Sequence, residues 1–296
     1  MKEDGLEISL VVTDLDNTLW PWFEIWYARF STFLDQLVVK SGIEREVLTS
    51  EIKKIHEEHR TTEYSFLLQE LPVLKKLHGK TDEFTEIYSS VIKASREARK
   101  NASFPYPSVI HTLKSLKEQG IKVIGYTESQ AFYTEQRLRT MGFDGLIEIV
   151  FTPETLEGQP RSVVEKERNY VKKHYRLKET KIQVLKNRRD KPNPELLSEI
   201  ITEVGGRIEN TCYIGDSLTK DIAMANKLGV VSIFAAYGEA HMDPRYELLR
   251  SVTHWKKSAV ESELSTTELD VEPCYRLESF SDLLNFVEFI PFSNRS

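Results

Sequence analysis

Two carboxylates follow directly on an apolar run near the start of the chain. The run of residues 8–13 is rich in β-branched side chains, which is typical of a buried strand, and it leads into Asp14, Asp16 and Thr18. In extended backbone, side chains repeat every two residues, so Asp14 and Asp16 would point the same way. Neighbouring carboxylates repel, and one of them stays neutral unless a cation joins them. The pair therefore predicts a metal site, or a nucleophile with a proton donor beside it.

Three other places in the chain carry polar residues in a similar setting. Thr127 ends a second apolar run, Lys191 stands just before a helix start, and Asp216 and Asp221 follow a third run in the segment Gly-Asp-Ser-Leu-Thr-Lys-Asp. Because the carboxyl ends of parallel strands meet at one edge of a sheet, these residues are expected to converge with the first two aspartates. Ser217 could assist there with its hydroxyl.

The elements that must position these residues alternate between two hydrophobic periods. Apolar runs predict strands, and segments with apolar residues three and four positions apart predict helices between them. The predicted strands are 8–13, 121–126, 146–151, 181–185, 211–214, 230–236 and 274–277. The predicted helices are 108–119, 130–141, 161–175, one beginning at Pro194 under an Asn193 cap, 222–228, 244–252, and 281–289 with Ser281 as its cap. This order predicts an α/β fold with a doubly wound parallel sheet.

The segment between the first and second polar sites has a different character. It predicts four consecutive helices and no strand: 20–40, 43–59, 62–77 with a break at Pro72, and 81–100 with Thr81 as cap. The prediction is thus an α/β core of residues 1–19 and 101–296, with an all-helical domain, 20–100, inserted directly after the acidic pair.

Bulk properties narrow the class of protein. The chain has 296 residues, 40% hydrophobic and 29% charged, as expected for a soluble protein of one large or two smaller domains. A net charge of -6 disfavours nucleic acid as a partner. No apolar stretch is long enough to span a membrane, and the N-terminus lacks the apolar region of a secretory signal. With only two cysteines, no disulfide framework is indicated, which favours a cytoplasmic location.

Taken in order, the four polar sites resemble the motifs of the haloacid dehalogenase superfamily. Those motifs are Asp-x-Asp-x-Thr, a strand-terminal Thr or Ser, an isolated Lys at a helix start, and Gly-Asp-x-x-x-x-Asp. The resemblance implies a Rossmann-like core with a helical cap that closes over the site and selects substrate. By that likeness Trp20, at the exit into the cap, and Arg60, in a helix connection, are candidate substrate contacts.

Phosphoryl transfer explains the types of residue. It needs an in-line nucleophile, neutralisation of the phosphoryl oxygens and help for the leaving group. Asp14 can attack as a carboxylate and form an aspartyl-phosphate, while Asp16 can protonate the leaving oxygen and then deprotonate the attacking water. The resemblance implies that Thr127 and Lys191 contact the transferring phosphoryl group.

A metal ion fits the same set of acids. Mg²⁺ prefers hard oxygen ligands, which Asp14 and Asp216 supply. The resemblance implies that the backbone carbonyl of Asp16 is a third ligand and that Asp221 is a ligand or supports one.

Several functions remain open at this stage. Dehalogenases of the superfamily lack an acid two residues after the nucleophile, so the resemblance and Asp16 together favour a Mg²⁺-dependent phosphatase acting on a small phosphorylated metabolite. A phosphomutase or other phosphotransferase is the alternative within enzymes. A non-catalytic binding or regulatory member of the fold is the alternative outside them, and the presence of every motif residue weighs against it.

Overall fold

The chain folds as two compact units in a computed structural model that describes residues 7–79, 83–154, 176–186, 190–266 and 270–293. The first, here called the α/β unit, comprises Met1–Pro21, Phe104–Glu239 and Ser265–Ser296. The second, here called the helical unit, comprises Trp22–Ser103 and Ala240–Leu264. Across the described ranges, none of the helices has the length and apolar character needed to cross a membrane.

The α/β unit is built on parallel strands. Within the described ranges the strands are β1 (Glu7–Ile8), β2 (Leu10–Thr13), β3 (Lys122–Tyr126), β4 (Ile149–Pro153), β5 (Lys181–Leu185), β6 (Thr211–Gly215), β7 (Val231–Ala235), β8 (Tyr275–Leu277) and β9 (Glu288–Phe289). Seven of them form one fully parallel sheet in the order β5-β4-β3-β2-β6-β7-β8, and β1 pairs separately with β9. This arrangement confirms the predicted doubly wound fold class.

Helices surround the sheet and form the whole of the helical unit. In the described ranges they are α1 (Trp22–Ser41), α2 (Arg45–His59), α3 (Leu67–Glu70), α4 (Pro72–His78), α5 (Phe84–Ile87), α6 (Ser89–Ala102), α7 (Val109–Glu118), α8 (Ala131–Thr140), α9 (Pro194–Glu203), α10 (Ala223–Leu228), α11 (Tyr246–Val252), α12 (Lys257–Ser265) and α13 (Leu283–Phe286). Single turns of 3₁₀ helix occur at Ile208–Asn210, Ala236–Gly238 and Phe280–Asp282, and one turn of π-helix at Leu218–Ile222.

Several helix boundaries differ from those predicted. The predicted helix 62–77 is two short helices, because Pro72 starts α4 as its first residue, as its fixed φ favours. The predicted closing helix is shorter, and its cap is Ser279 in a capping box with Asp282 rather than Ser281. Helix α12 was not predicted. Thr81 and the predicted helix 161–175 lie outside the described residues.

Strand β2 occupies the position where the order of the sheet reverses. Val12 lies beside Ile124 of β3 on one side and Tyr213 of β6 on the other. The chain then adds β4 and β5 beyond β3, but β7 and β8 beyond β6. In open α/β sheets, a crevice for ligands opens at the carboxyl ends of the strands at such a point. Asp14 follows β2 directly and therefore lies there.

A continuous apolar core fixes this sheet edge. The side chains of β2 are completely buried, and α9 and α10 cover one face with Leu197, Ile200 and Met224. Helix α9 begins where predicted, because the Asn193 side chain accepts a hydrogen bond from the Leu196 amide at 2.9 Å. Burying each such side chain contributes about 2 kcal/mol, so the strand that carries the first two acids is held firmly.

The helical unit includes a segment that the sequence predictions assigned to the α/β core. Residues Ala240–Leu264 belong to it, whereas the predicted helical domain consists of 20–100 alone. The apolar face of α11, with Tyr246, Leu249 and Val252, is buried, and α11 packs against α1 and α2. This short amphipathic helix needs an apolar partner surface, and the helical unit supplies it.

A buried histidine ties α2 to α11. His56 is 1% exposed, and its Nδ1 lies 2.8 Å from the Val252 carbonyl oxygen, so Nδ1 carries a proton and donates. Burial lowers the pKa of His56 to about 4, against the smaller raising effect of the Val252 hydrogen bond. The imidazole is therefore neutral in the folded protein at neutral pH.

We expect this histidine to make the helical unit lose stability in mild acid. The unfolded chain takes up a proton on His56 below its ordinary pKa of about 6.5, while the folded chain resists until about pH 4. Stability is therefore lost as the pH falls through this window, and at about pH 5 the loss due to His56 is about 2 kcal/mol. His56→Gln has no group that titrates in this window. The free energy of unfolding of this variant should therefore fall less between about pH 7.5 and about pH 5 than that of the wild type.

Urea denaturation followed by tryptophan fluorescence measures this difference, because Trp22, Trp26 and Trp255 all lie in the helical unit. His111→Gln, at an exposed histidine of the α/β unit, is the matched control. Equal pH dependence in wild type and His56→Gln would contradict the expectation.

Candidate active site

The turn after β2 gives its two aspartates different surroundings. The strand ends at Thr13, and the Leu15 carbonyl accepts hydrogen bonds from the amides of Thr18 (3.2 Å) and Leu19 (2.8 Å). Asn17 adopts a left-handed φ of 58°, which asparagine tolerates better than most residues. Asp16 therefore stands in a turn and not within strand β2. The prediction that the Asp14 and Asp16 side chains point the same way stays a prediction.

Asp14 lies against the ammonium group of Lys191. Lys191 Nζ donates to Asp14 Oδ1 at 2.5 Å and to Asp221 Oδ1 at 2.9 Å, and all three residues are buried. Burial alone would lower the pKa of Lys191, but Asp14 and Asp221 outweigh it and hold that pKa well above its ordinary value. The structure thus brings together three predicted residues whose motifs are far apart in the sequence. Lys191 carries its positive charge between the two carboxylates.

Asp216 completes the group from the end of β6. Thr18 Oγ1 donates to Asp216 Oδ1 at 3.4 Å, which joins the first motif to the last. The Tyr237 hydroxyl donates to the Thr18 carbonyl oxygen at 2.7 Å, which holds the turn after β2 in place from the loop that follows β7. A Cβ on Gly238 would collide with the Asn17 carbonyl oxygen, so glycine permits this close approach of the two loops.

The acids form a cluster that fits a metal ion. Carboxylate oxygens of Asp14, Asp216 and Asp221 all lie within 4.8 Å of one another. Burial raises the pKa of the Asp14 carboxyl to about 8. The charge of Lys191 lowers this pKa in part, and the charge of Asp221 raises it further. Burial, together with Asp14 and Asp221, also raises the pKa of Asp216 well above its usual range. Acids held this close need more positive charge than one lysine supplies, and hard oxygen donors suit Mg²⁺.

Asp221 is held by the side chain of Tyr213, which the sequence did not single out, and by the backbone of Ser217. Tyr213, in the middle of β6, donates its hydroxyl to Asp221 Oδ1 at 2.9 Å, and the Ser217 amide donates to Oδ2 at 3.2 Å. Burial raises the pKa of Tyr213 well above its ordinary value, so its hydroxyl stays a donor. A Cβ on Gly215 would overlap the Asp221 carboxylate, which explains the glycine of this motif.

Thr127 stands at the end of β3, as predicted, and is 2% exposed. Its amide donates to the Phe151 carbonyl at 3.0 Å, and its Oγ1 accepts from the Ser129 amide at 3.0 Å. The hydroxyl is thereby fixed in orientation, and the hydroxyl hydrogen is left to donate elsewhere.

Glu128, the next residue, links the second, third and fourth motifs. Its Oε1 accepts from the Lys191 amide at 3.0 Å and its Oε2 from Lys220 Nζ at 2.7 Å. Burial would raise the pKa of Glu128, but Lys220 and Lys191 outweigh it and lower it, so the side chain is a carboxylate. It therefore anchors the loop that presents the Lys191 side chain to the acids.

Asp16 belongs to a different network. Its Oδ1 accepts from Trp20 Nε1 at 2.6 Å and from Arg137 Nη1 at 3.4 Å. Within the described part of the chain its side chain is not among the three carboxylates of the metal-fitting cluster. The structure is silent on ligation by the Asp16 carbonyl, which stays an expectation from the resemblance.

The two predicted substrate contacts, Trp20 and Arg60, are placed differently. Trp20 is completely buried in the α/β unit and donates its indole N–H to Asp16 Oδ1, and substrate binding by Trp20 stays a prediction. Arg60 is exposed in the helical unit, where it ends α2 in a left-handed conformation. Substrate binding by Arg60 stays a prediction.

Sequence reasoning also missed Arg137, Tyr213, Glu128 and Tyr237. Arg137 offered a signal, because it lies four positions after Tyr133 and four before Met141 and so falls on the apolar, buried face of a helix that directly follows a motif strand. A tyrosine inside a buried strand, by contrast, is indistinguishable from a core aromatic.

The chain is similar to several known proteins. A curated relative, glyceraldehyde 3-phosphate phosphatase from Methanopyrus kandleri, is 23% identical over 246 residues, which cover 80% of this chain and 88% of the relative. The solved structure of 2-haloacid dehalogenase from Pseudomonas syringae pv. Tomato DC3000 aligns with a TM-score of 0.55 at 16% identity and covers 94% of this chain and 97% of that one. At this identity the likeness concerns the fold alone.

A HAD-hydrolase from Bacillus subtilis bound to magnesium aligns with a TM-score of 0.49 at 13% identity, over 94% of this chain and 98% of that one. The family model for haloacid dehalogenase-like hydrolases matches residues 8–229, a span that contains the acid cluster, Thr127 and Lys191. This match over most of the chain shows that the protein belongs to the haloacid dehalogenase-like hydrolases.

Proposed function

We propose that this hydrolase is a Mg²⁺-dependent phosphatase that acts on a small phosphorylated metabolite through an aspartyl-phosphate. The observation that carries the proposal is the cluster of Asp14, Asp216 and Asp221 around Lys191 at the point where the sheet order reverses. Such a site combines a nucleophilic carboxylate with fixed positive charge, as phosphoryl transfer requires.

In the proposed first step, a carboxylate oxygen of Asp14 attacks phosphorus. The bond between phosphorus and the ester oxygen breaks, and that oxygen takes a proton from Asp16. In the second step, water gives its proton to Asp16 and attacks the phosphorus, and the bond to Asp14 breaks to release inorganic phosphate. Asp16 thus ends in its starting state, and the substrate is divided into an alcohol and phosphate.

Lys191 and Thr127 stabilise the transferred group in this scheme. Lys191 Nζ, 2.5 Å from the nucleophile, places positive charge where the phosphoryl oxygens would approach Asp14. The Thr127 hydroxyl, held through Ser129, would donate to one of those oxygens. Because Glu128 and the β3 strand end fix both groups before substrate arrives, little reorganisation is needed.

Asp14, Asp216 and Asp221 would hold the metal, with the Asp16 carbonyl as the further ligand that the family resemblance implies. A bound Mg²⁺ would neutralise charge on the phosphoryl group and orient it toward Asp14. The donor set supports this assignment, because it consists of closely spaced carboxylates, two of them buried and one half-buried.

Two features support hydrolysis of a phosphate ester over dehalogenation. Asp16 is present two residues after the nucleophile and is held by two donors, whereas loss of a halide needs no proton donor. A relative named for its action on glyceraldehyde 3-phosphate makes triose phosphates the first compounds to assay. The prediction that the helical insertion acts as a substrate-selecting cap stays a prediction.

We expect Mg²⁺ to stabilise the wild type through this cluster. At a concentration about tenfold above its Kd, a ligand that binds only the folded state adds about 1.4 kcal/mol, which raises the melting temperature by a few degrees. Asp216→Asn keeps the shape but removes one charged ligand, so this shift should largely disappear. Differential scanning fluorimetry with and without Mg²⁺ measures it.

The matched control is Asp35→Asn, at an exposed aspartate that pairs with Arg45, and it should keep the full shift. An equal shift in wild type and Asp216→Asn would mean that the cluster does not hold the metal.

We expect Asp14→Asn to abolish turnover. The amide cannot serve as the nucleophile, so release of phosphate from 4-nitrophenyl phosphate and from triose phosphates should fall by at least about 10³-fold. The assay is run with Mg²⁺ and with a chelator, and Asp35→Asn should retain wild-type rates. Metal-dependent turnover that survives in Asp14→Asn would overturn the mechanism. Transfer of phosphate to a second sugar phosphate, without release, would favour the phosphomutase.

A further inference from the structure

One oxygen of Asp16 accepts two hydrogen bonds from different parts of the chain. Trp20 Nε1 donates to Oδ1 at 2.6 Å, and Arg137 Nη1, from helix α8, lies 3.4 Å from the same atom. Trp20 is four residues away in the same turn, whereas Arg137 is 121 residues away. The carboxyl group is thus held by its own loop and by a neighbouring helix.

The position of Arg137 is well defined. Its side chain is 7% exposed, against 38% for Arg139 on the same helix, and it also donates to Ser129 Oγ at 3.0 Å. A buried guanidinium requires an opposite charge and hydrogen-bond acceptors, and Asp16 supplies the charge. Ser129 stands two residues after Thr127, so Arg137 contacts both the acid and the loop of the second motif.

Trp20 is equally constrained. The residue is completely buried, its ring packs edge-on against Phe143 at 5.2 Å, and its backbone forms a bridge with that of Asp16. The indole cannot turn away without leaving the core, so its N–H remains directed at the carboxylate.

These contacts fix the orientation of the Asp16 carboxyl group. Indole and guanidinium groups only donate, so Oδ1 accepts from both and is held between its own turn and helix α8. We propose that Arg137 and Trp20 are positioning residues that orient the Asp16 carboxyl group for delivery of a proton to the leaving oxygen. This inference rests on the proposed phosphatase function.

Two aryl phosphates of nearly the same shape test the proposal. Phenol is a poorer leaving group than 4-nitrophenol and depends more on a proton from the acid. In Arg137→Gln, and separately in Trp20→Phe, kcat/KM for phenyl phosphate should fall about tenfold more than kcat/KM for 4-nitrophenyl phosphate. Asp16→Asn removes the acid itself and should show the largest extra loss of kcat/KM for phenyl phosphate. Arg139→Gln should show no extra loss.

The ratio of the kcat/KM values for the two substrates does not depend on the fraction of folded enzyme, since both values are measured on one preparation. If Arg137→Gln lowers both rates equally, Arg137 has a structural role only and the proposal is wrong. Arg137→Lys keeps the positive charge, so its ratio of the two kcat/KM values should lie between those of Arg137→Gln and the wild type.

A spectroscopic readout separates this inference from the proposed function. In a ¹H–¹⁵N correlation spectrum, the indole signal of Trp20 is identified as the one missing in Trp20→Phe. It should shift in Arg137→Gln and in Asp16→Asn, and stay in place in Arg139→Gln. A wild type with no phosphatase turnover would refute the proposed function, whereas an unmoved indole signal in Arg137→Gln would refute the coupling of Arg137 to Asp16.

Discussion

The confinement of three carboxylates, two buried and one half-buried, around one lysine is the constraint on which the rest of the site depends. Lys191 contacts Asp14 and Asp221 at hydrogen-bond distance, and an oxygen of Asp216 lies within 4.8 Å of an oxygen of each of these acids. Carboxylates this close repel one another, so they stay together only where the surrounding structure holds them. Burial, and after it the repulsion between the acids, raises the pKa of Asp14 and that of Asp216, so the cluster favours binding of a cation. Binding of a divalent metal would satisfy this preference.

The parallel order of the strands places the cluster at one edge of the sheet. Parallel strands β2, β3 and β6 end side by side, and each end supplies a different chemical group. Neighbouring residues then remove the remaining freedom: Tyr213 fixes Asp221 from within β6, and Glu128 fixes the backbone of Lys191. Glycine at 215 leaves room for the Asp221 carboxylate. Stability of the core and geometry of the site therefore depend on the same strands, because the strands whose apolar side chains are buried also set the distances between the charged groups.

Local patterns predicted the seven strands of the large sheet and, through their alternation with helices, its parallel topology, whereas Thr127 and Lys191 were singled out by the order of the four motifs along the chain. Strand β9 was missed, since it lies within the predicted helix 281–289. A buried run followed by a polar residue needs no knowledge of the rest of the chain. The contacts that join these residues were beyond local reasoning: Lys191 and Asp14 are 177 positions apart, and neither predicts the other. Residues 240–264 pack with the helical unit for a similar reason, since the partner surface of α11 is formed by helices some two hundred positions earlier. Tyr213 was missed because its hydroxyl, and not its ring, performs the function.

Asp14 and Asp16 show how a two-residue spacing becomes a division of labour. Strand periodicity would give both carboxylates the same environment, but β2 ends at Thr13 and the chain turns at Leu15. Asp14 therefore enters the acid cluster beside a lysine, where it is crowded by other carboxylates. Asp16 instead accepts from an indole and a guanidinium. In the proposed mechanism a nucleophile must stay anionic and an acid must exchange protons, and these different partners would fit the two carboxylates of one short motif to the two roles.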